Sequence, residues 1–148
     1  MTLPLSSYGG SSFVFLFEET LRTFGSARLR VQGSSMLPAF RPGDDVLVRW
    51  SDQDDAEAGD VIAFNREGRL FVHRVTGRDA SGRIITRGDA LPAADAPISE
   101  GEYLGKVAEV CRAGETITLR TSLLQRATAA LFRRSQPCAA LFVKLACL

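Results

Sequence analysis

Gly33-Ser34-Ser35-Met36-Leu37-Pro38, followed by Arg41-Pro42-Gly43-Asp44, is the part of this sequence best suited to chemistry. A short alternating segment over 28–32 runs into a Gly-Ser-Ser corner, and Pro38 blocks ordinary helix continuation. Such a corner can hold a hydroxyl outward beside free backbone N–H groups. Those are the parts of an acyl-transfer site, a nucleophile and an oxyanion hole. On its own, a Gly-Ser-Ser run is far more often a plain turn.

A serine hydroxyl is a weak nucleophile until a base takes its proton. The chain has one histidine, His73, in Phe71-Val72-His73-Arg74-Val75. In a strand, Phe71, His73 and Val75 share a face. Apolar neighbours there favour the neutral imidazole, the form that accepts a proton, although a lone histidine is more often only the edge of a core. A third cluster supplies carboxylates: Asp89 in Thr86-Arg87-Gly88-Asp89, and Asp95 in Pro92-Ala93-Ala94-Asp95. Beside an imidazole, either could accept the second ring N–H, fix the tautomer and stabilise the imidazolium. Alone, each reads as a solvated turn.

These groups need a frame. Residues 1–11 are rich in Ser, Gly and Pro and read as a loose tail. The pattern predicts a helix over 12–24, capped by Ser12, with Phe13, Phe17, Leu21 and Phe24 at helical spacing and Gly25 as the stop. Seven short strands follow: 28–32, the Val46/Val48 segment, 61–64, 70–75, 84–86, 103–110 and 116–119. Turns at Glu67-Gly68, at 79–82 and at Ala113-Gly114 separate several of them. Beyond Thr121 the period is helical again until Pro137. The expected organisation is a tail and amphipathic helix over 1–27, a β domain over 28–120 and a helical segment over 121–148.

The bulk composition fits one soluble domain with a single core: 148 residues, 45% hydrophobic and 24% charged. Eighteen basic against seventeen acidic residues leave a net charge of +1, so no global field draws the chain to nucleic acid. Cys111, Cys138 and Cys147 are an odd set without metal-ligand spacing, and one histidine supports no Cys/His metal site. They suggest free thiols in a reducing compartment. No apolar run reaches the roughly 20 residues of a membrane span, and Glu18-Glu19 end the Phe-rich run at once. Lys106 and Lys144 are the only lysines, which leaves few rivals to His73 as the base.

Taken in order, Gly-Ser-Ser-Met-Leu-Pro, Pro42-Gly43-Asp44, Gly59-Asp60-Val61-Ile62, Val72-His73-Arg74-Val75 and Arg87-Gly88-Asp89 resemble the boxes of the signal-peptidase superfamily. The likeness covers about residues 28–110 and is closest to the archaeal and endoplasmic-reticulum type, where a histidine stands in place of the bacterial lysine. It implies a mainly β fold of antiparallel coiled sheets, with a helix at each end of this chain. It also implies a serine endopeptidase with Ser35 as nucleophile and His73 as base. Asp89 and Asp95, six positions apart, match the family's two aspartates, with Asp95 slightly favoured as the histidine's partner.

By the same likeness Gly33, Ser34 and Met36 belong to the oxyanion and substrate region, and Met36 and Pro38 shape its floor. Gly33 departs from the serine that many bacterial members carry there, so the hole would rely on backbone N–H groups, including that of Ser35. Membrane-spanning helices, usual in signal peptidases, are missing from the pattern. The expected substrate is a peptide or precursor protein with small residues before the cut, and no metal or cofactor is required. The expected location is the cytoplasm, with a peripheral membrane contact through the terminal segments less favoured than their packing on the β body. Two other readings stand beside the protease. One is a self-cleaving regulatory domain like that of the SOS repressors, and the other is a non-catalytic β binding module.

Overall fold

The computed structural model describes residues 3–4 and 11–117. Within them the order is β1 (Leu3–Pro4), α1 (Ser11–Phe24), β2 (Ser26–Arg30), β3 (Asp45–Arg49), β4 (Val61–Arg66), β5 (Arg69–Arg78), β6 (Ile84–Arg87), β7 (Tyr103–Arg112) and β8 (Glu115–Ile117). The seven strands expected from the sequence are all present, each shifted by a few residues at most. The segment read as a loose tail contributes a two-residue strand: Leu3 and Pro4 pair in parallel with Leu29 and Arg30. The helix and two cysteines expected beyond Thr121 lie outside the described residues.

The strands form one sheet in the order β1-β2-β3-β7-β4-β5-β6, with β8 paired to β7. All its pairings but β1–β2 are antiparallel. Strand β7 is the keystone of the order. Its Lys106–Cys111 stretch pairs with β3, and its Tyr103–Lys106 stretch pairs with β4. Lys106 therefore faces Arg49 on one side and Ile62 on the other.

Two hairpins close on two-residue turns with positive φ at both positions, Glu67-Gly68 and Ala113-Gly114. That backbone matches the right-handed twist of the strands it joins. Strand β4 explains its own unbroken apolar run, because it is buried on both faces. Val61 and Ala63 join one core cluster, whereas Ile62 and Phe64 join the other.

The first cluster lies between the sheet and α1. The helix inserts Phe13, Phe17 and Leu21, and Leu29, Val31, Met36, Phe40, Val46 and Val48 meet them from the sheet side. Burying an aliphatic or aromatic side chain of this size contributes about 1.5–3 kcal/mol each. Phe24 does not join this face as the helical spacing suggested. It is the helix's last residue and is 76% exposed, because the chain turns away at Gly25. There φ is 72°, a conformation that favours glycine, and the Gly25 N–H donates to the Leu21 carbonyl to close the last turn. Asn65 Nδ2 donates to Glu18 Oε1 at 3.0 Å, tying α1 to the β4–β5 hairpin. No helix among the described residues is long and apolar enough to cross a membrane.

Candidate active site

After β2 the chain passes through Val31, whose N–H donates to the Asp44 carbonyl and whose carbonyl accepts the Gly43 N–H. The Gly-Ser-Ser corner follows, and the chain then folds into tight turns: the Leu37 N–H donates to Ser34 O and the Phe40 N–H to Met36 O. Met36, Leu37 and Phe40 are buried, so the corner is pinned from below while Ser35 stays half-exposed. Asp44, in the Pro-Gly-Asp box, anchors the far side of this loop to β7 through paired contacts with Arg112 at 2.7 and 2.8 Å.

His73 lies on β5 opposite Ile62 and is 4% exposed. Its ring stands edge-on to Phe64 and Phe71, at 6.0 and 5.9 Å between centroids. Aromatic contacts on that side leave two directions for the ring nitrogens. Nε2 meets Ser35 Oγ at 3.1 Å, and Nδ1 meets Asp95 Oδ2 at 2.7 Å. Serine, histidine and aspartate, 60 residues apart along the chain at their extremes, thus form one continuous hydrogen-bonded row. With Nδ1–H donating to the carboxylate, Nε2 is left as an acceptor for the serine proton.

Asp95 sits in the loop after β6 and is held on three sides. Its N–H donates to the Thr86 carbonyl at 2.8 Å, and Thr86 Oγ1 donates to its Oδ2 at 2.7 Å. Arg66 donates to the carbonyls of Ala96 and Pro97 next door. Partial burial pushes the Asp95 carboxyl up. The hydrogen bonds from His73 and Thr86, helped by the charges of His73 and Arg66, outweigh it and hold the group below the ordinary carboxylate range.

The other motif aspartate has a different partner. Asp89 forms a two-pronged pair with Arg74, at 2.8 Å on both oxygens, and its side chain is only 6% exposed. Arg74 also donates to the Gly59 carbonyl at 2.8 Å. The structure thus gives the His73 contact to Asp95, and Asp89 ties the Arg-Gly-Asp box to the Gly59-Asp60 box. Asp60 in turn meets Lys106 at 3.2 Å.

Sequence reasoning missed the role of Gly88. A Cβ there would lie 2.7 Å from the Ser35 carbonyl oxygen, closer than side chains approach backbone. The next turn uses that closeness, because the Ala90 N–H donates to Ser35 O at 2.9 Å. Backbone following β6 therefore braces the serine directly. Its only trace in the sequence is the glycine itself. Gly33, by contrast, is exposed, and a Cβ added to it would meet open space. The Ser35 N–H makes no hydrogen bond within the described residues. Ser34 contributes its carbonyl to the turn.

Beside Ser35 and His73 opens a cavity of about 250 Å³, walled by Val31, Met36, Phe40, Leu70, Phe71 and Val72. It lies between the end of β2 and the start of β5. Strand β6 pairs with β5 only from Arg74 onward, so the Arg69–His73 edge on that side has no strand beside it among the described residues.

Residues 8–108 match the model of the family described as Peptidase S24-like. The chain belongs to this family. It is also similar to the signal peptidase complex catalytic subunit SEC11 of Yarrowia lipolytica, 36% identical over 87 residues, covering 54% of this chain and 50% of that one. A second relative, the signal peptidase complex catalytic subunit sec11 of Pyrenophora tritici-repentis, is 37% identical over 65 residues, covering 40% and 37%. The chain therefore spans about half the length, or less, of the curated relatives it matches. The resemblance to signal peptidases drawn from the motifs agrees with these matches, and so does the mainly β fold.

Proposed function

We propose that this member of the Peptidase S24-like family is a serine endopeptidase acting on an extended peptide or precursor protein, with Ser35, His73 and Asp95 as its reacting row. The observation that carries the reading is the hydrogen-bonded row itself, 3.1 Å from Ser35 to His73 and 2.7 Å from His73 to Asp95, at the mouth of an apolar cavity. His73 Nε2 accepts the Ser35 proton as Oγ attacks a peptide carbonyl. The resulting imidazolium is stabilised by Asp95 and then protonates the leaving amine. Water releases the acyl group by the reverse transfer. The Ser35 N–H, without a partner among the described residues, serves as a donor to the oxyanion.

The cavity supports an apolar residue before the cut, and the β5 edge left without a strand among the described residues supports a substrate bound in extended form by backbone hydrogen bonds. The names of the two relatives favour precursor proteins as the class of substrate. Acid opposes the reaction, because a protonated Nε2 has no lone pair for the serine proton.

Incubation of the purified chain with a peptide library rich in small residues, followed by mass spectrometry, tests this reading. Cuts made by the parent should vanish in Ser35→Ala. Ser35-dependent cuts confined to the chain itself would instead indicate a self-processing domain, and no Ser35-dependent product from any peptide would sink the protease reading.

The brace behind the serine gives a second expectation. Gly88→Ala forces the Ser35 carbonyl to move, since it is backbone and cannot swing aside as the neighbouring Leu91 side chain can. A nucleophile misplaced by about 1 Å loses roughly 100-fold in rate, so the smaller shift forced here is expected to lower kcat/KM about tenfold or more. Near-UV circular dichroism should still report a folded core. Full activity in a folded Gly88→Ala protein would show that the brace is dispensable.

A further inference from the structure

Among the described residues, Thr86 is the one hydroxyl residue with a fully buried side chain, with no measurable exposure. A buried hydroxyl without a partner is costly, and this one makes a specific choice. Its Oγ1–H donates to Asp95 Oδ2 at 2.7 Å, the same oxygen that meets His73 Nδ1 at 2.7 Å. The Asp95 N–H donates back to the Thr86 carbonyl at 2.8 Å, closing a small ring between β6 and the loop that carries the aspartate.

We propose that Thr86 is a positioning residue for the proton relay, orienting Asp95 towards His73 and sharing the charge of the oxygen on which the histidine rests. The inference rests on the Ser35/His73/Asp95 reading above. Two donors converge on one carboxylate oxygen, one from β6 and one from β5. With both in place the oxygen is held at a fixed point and part of its charge is already satisfied. Without the hydroxyl, the full charge of Oδ2 falls on the imidazole, and the imidazolium form gains. The carboxylate also loses its stop against rotation. Two cations of this region are engaged elsewhere: Arg66 on β4 faces Asp95 but is held by Glu102 and by two loop carbonyls, and Arg74 on β5 is held by Asp89. Removing the Thr86 hydroxyl therefore changes one donor and no charge.

His73 is the only histidine in the chain, so the imidazole C–H resonances of this chain report its titration without overlap. Thr86→Val keeps the shape and deletes the hydroxyl. It is expected to raise the His73 midpoint by about one pH unit relative to the parent. It should also lower kcat roughly tenfold with KM little changed. Thr86→Ser keeps the hydroxyl and should return both quantities towards the parent. Thr86→Ala serves as the deletion if the valine protein does not fold.

A folded deletion variant with the parent's midpoint and kcat would overturn the proposal. So would a Thr86→Ser protein displaced as far as Thr86→Val, since the hydroxyl would then not be the cause. The titration needs no turnover. If the parent shows no Ser35-dependent hydrolysis, the protease reading fails, whereas the midpoint comparison still decides whether Thr86 acts on the histidine.

Discussion

Asp95→Asn is expected to lower kcat roughly 10³–10⁴-fold while the protein stays folded. The reason lies in what an amide can offer His73. A carboxylate only accepts, so Nδ1 must carry the proton and Nε2 is free to take one from Ser35. An amide can present its NH₂ group at the same place, which stabilises the opposite tautomer and leaves Nε2–H facing the serine. KM should change little, because Asp95 is not among the residues walling the apolar cavity. Steady-state kinetics on a peptide cleaved by the parent will separate the two constants. An Asp95→Asn enzyme within tenfold of the parent would remove Asp95 from the relay.

The same substitution has a pH signature in stability. Hydrogen bonds from His73 and Thr86 overcome burial and depress the Asp95 pKa. A depressed carboxylate favours the folded state above its unfolded value, about 3.9 for an aspartate. That contribution is lost as pH falls through the lower folded-state value. The difference in urea midpoint between parent and Asp95→Asn should therefore be widest near neutrality and close in strong acid.

Asp89→Asn should behave in the opposite way. Its carboxylate is buried against Arg74 with both oxygens engaged. Deleting that charge leaves a largely buried guanidinium with a poor partner, a change that costs about 3–5 kcal/mol. Domains are stable by only about 5–15 kcal/mol in total, so a large fall in the urea midpoint is expected. Turnover by the folded fraction should fall far less than in Asp95→Asn. Replacing both partners with apolar residues should recover part of the loss, because no unpaired charge then remains. A fully stable but inactive Asp89→Asn protein would reverse the assignments of the two aspartates.

That contrast shows what the sequence could and could not reveal. The motif boxes hold Asp44, Asp60 and Asp89, with Asp95 six positions beyond the last, and the sequence only slightly favours Asp95 over Asp89 as the histidine's partner. In the fold three of them pair with Arg112, Lys106 and Arg74, and Asp95 alone reaches the histidine. The choice depends on β6 and its following loop curling back over β5, a long-range packing outcome that local pattern does not contain. Ser35 and His73 were legible because their neighbours are unusual: a Gly-Ser-Ser corner, and a single histidine among apolar residues. Strand positions were legible from alternation and turn glycines. What covers each face of β4 was not, because a continuous apolar run says only that both faces are covered and not by which cluster. Phe24 shows the limit of periodicity at a helix end, where the angle still points inward but the sheet no longer lies beneath it.

The place of β7 in the sheet has a consequence for how such a protein is born. Ser35 follows β2, His73 lies on β5, and β7 is the strand that joins their two halves. On a ribosome, β2 to β6 emerge first as two hairpin-like groups with no ladder between them. Tyr103–Arg112 then enters between β3 and β4 and completes the ladder that joins the two groups. With Ser35 and His73 as the reacting pair proposed above, the sheet that holds them in register is complete only once β7 has been made.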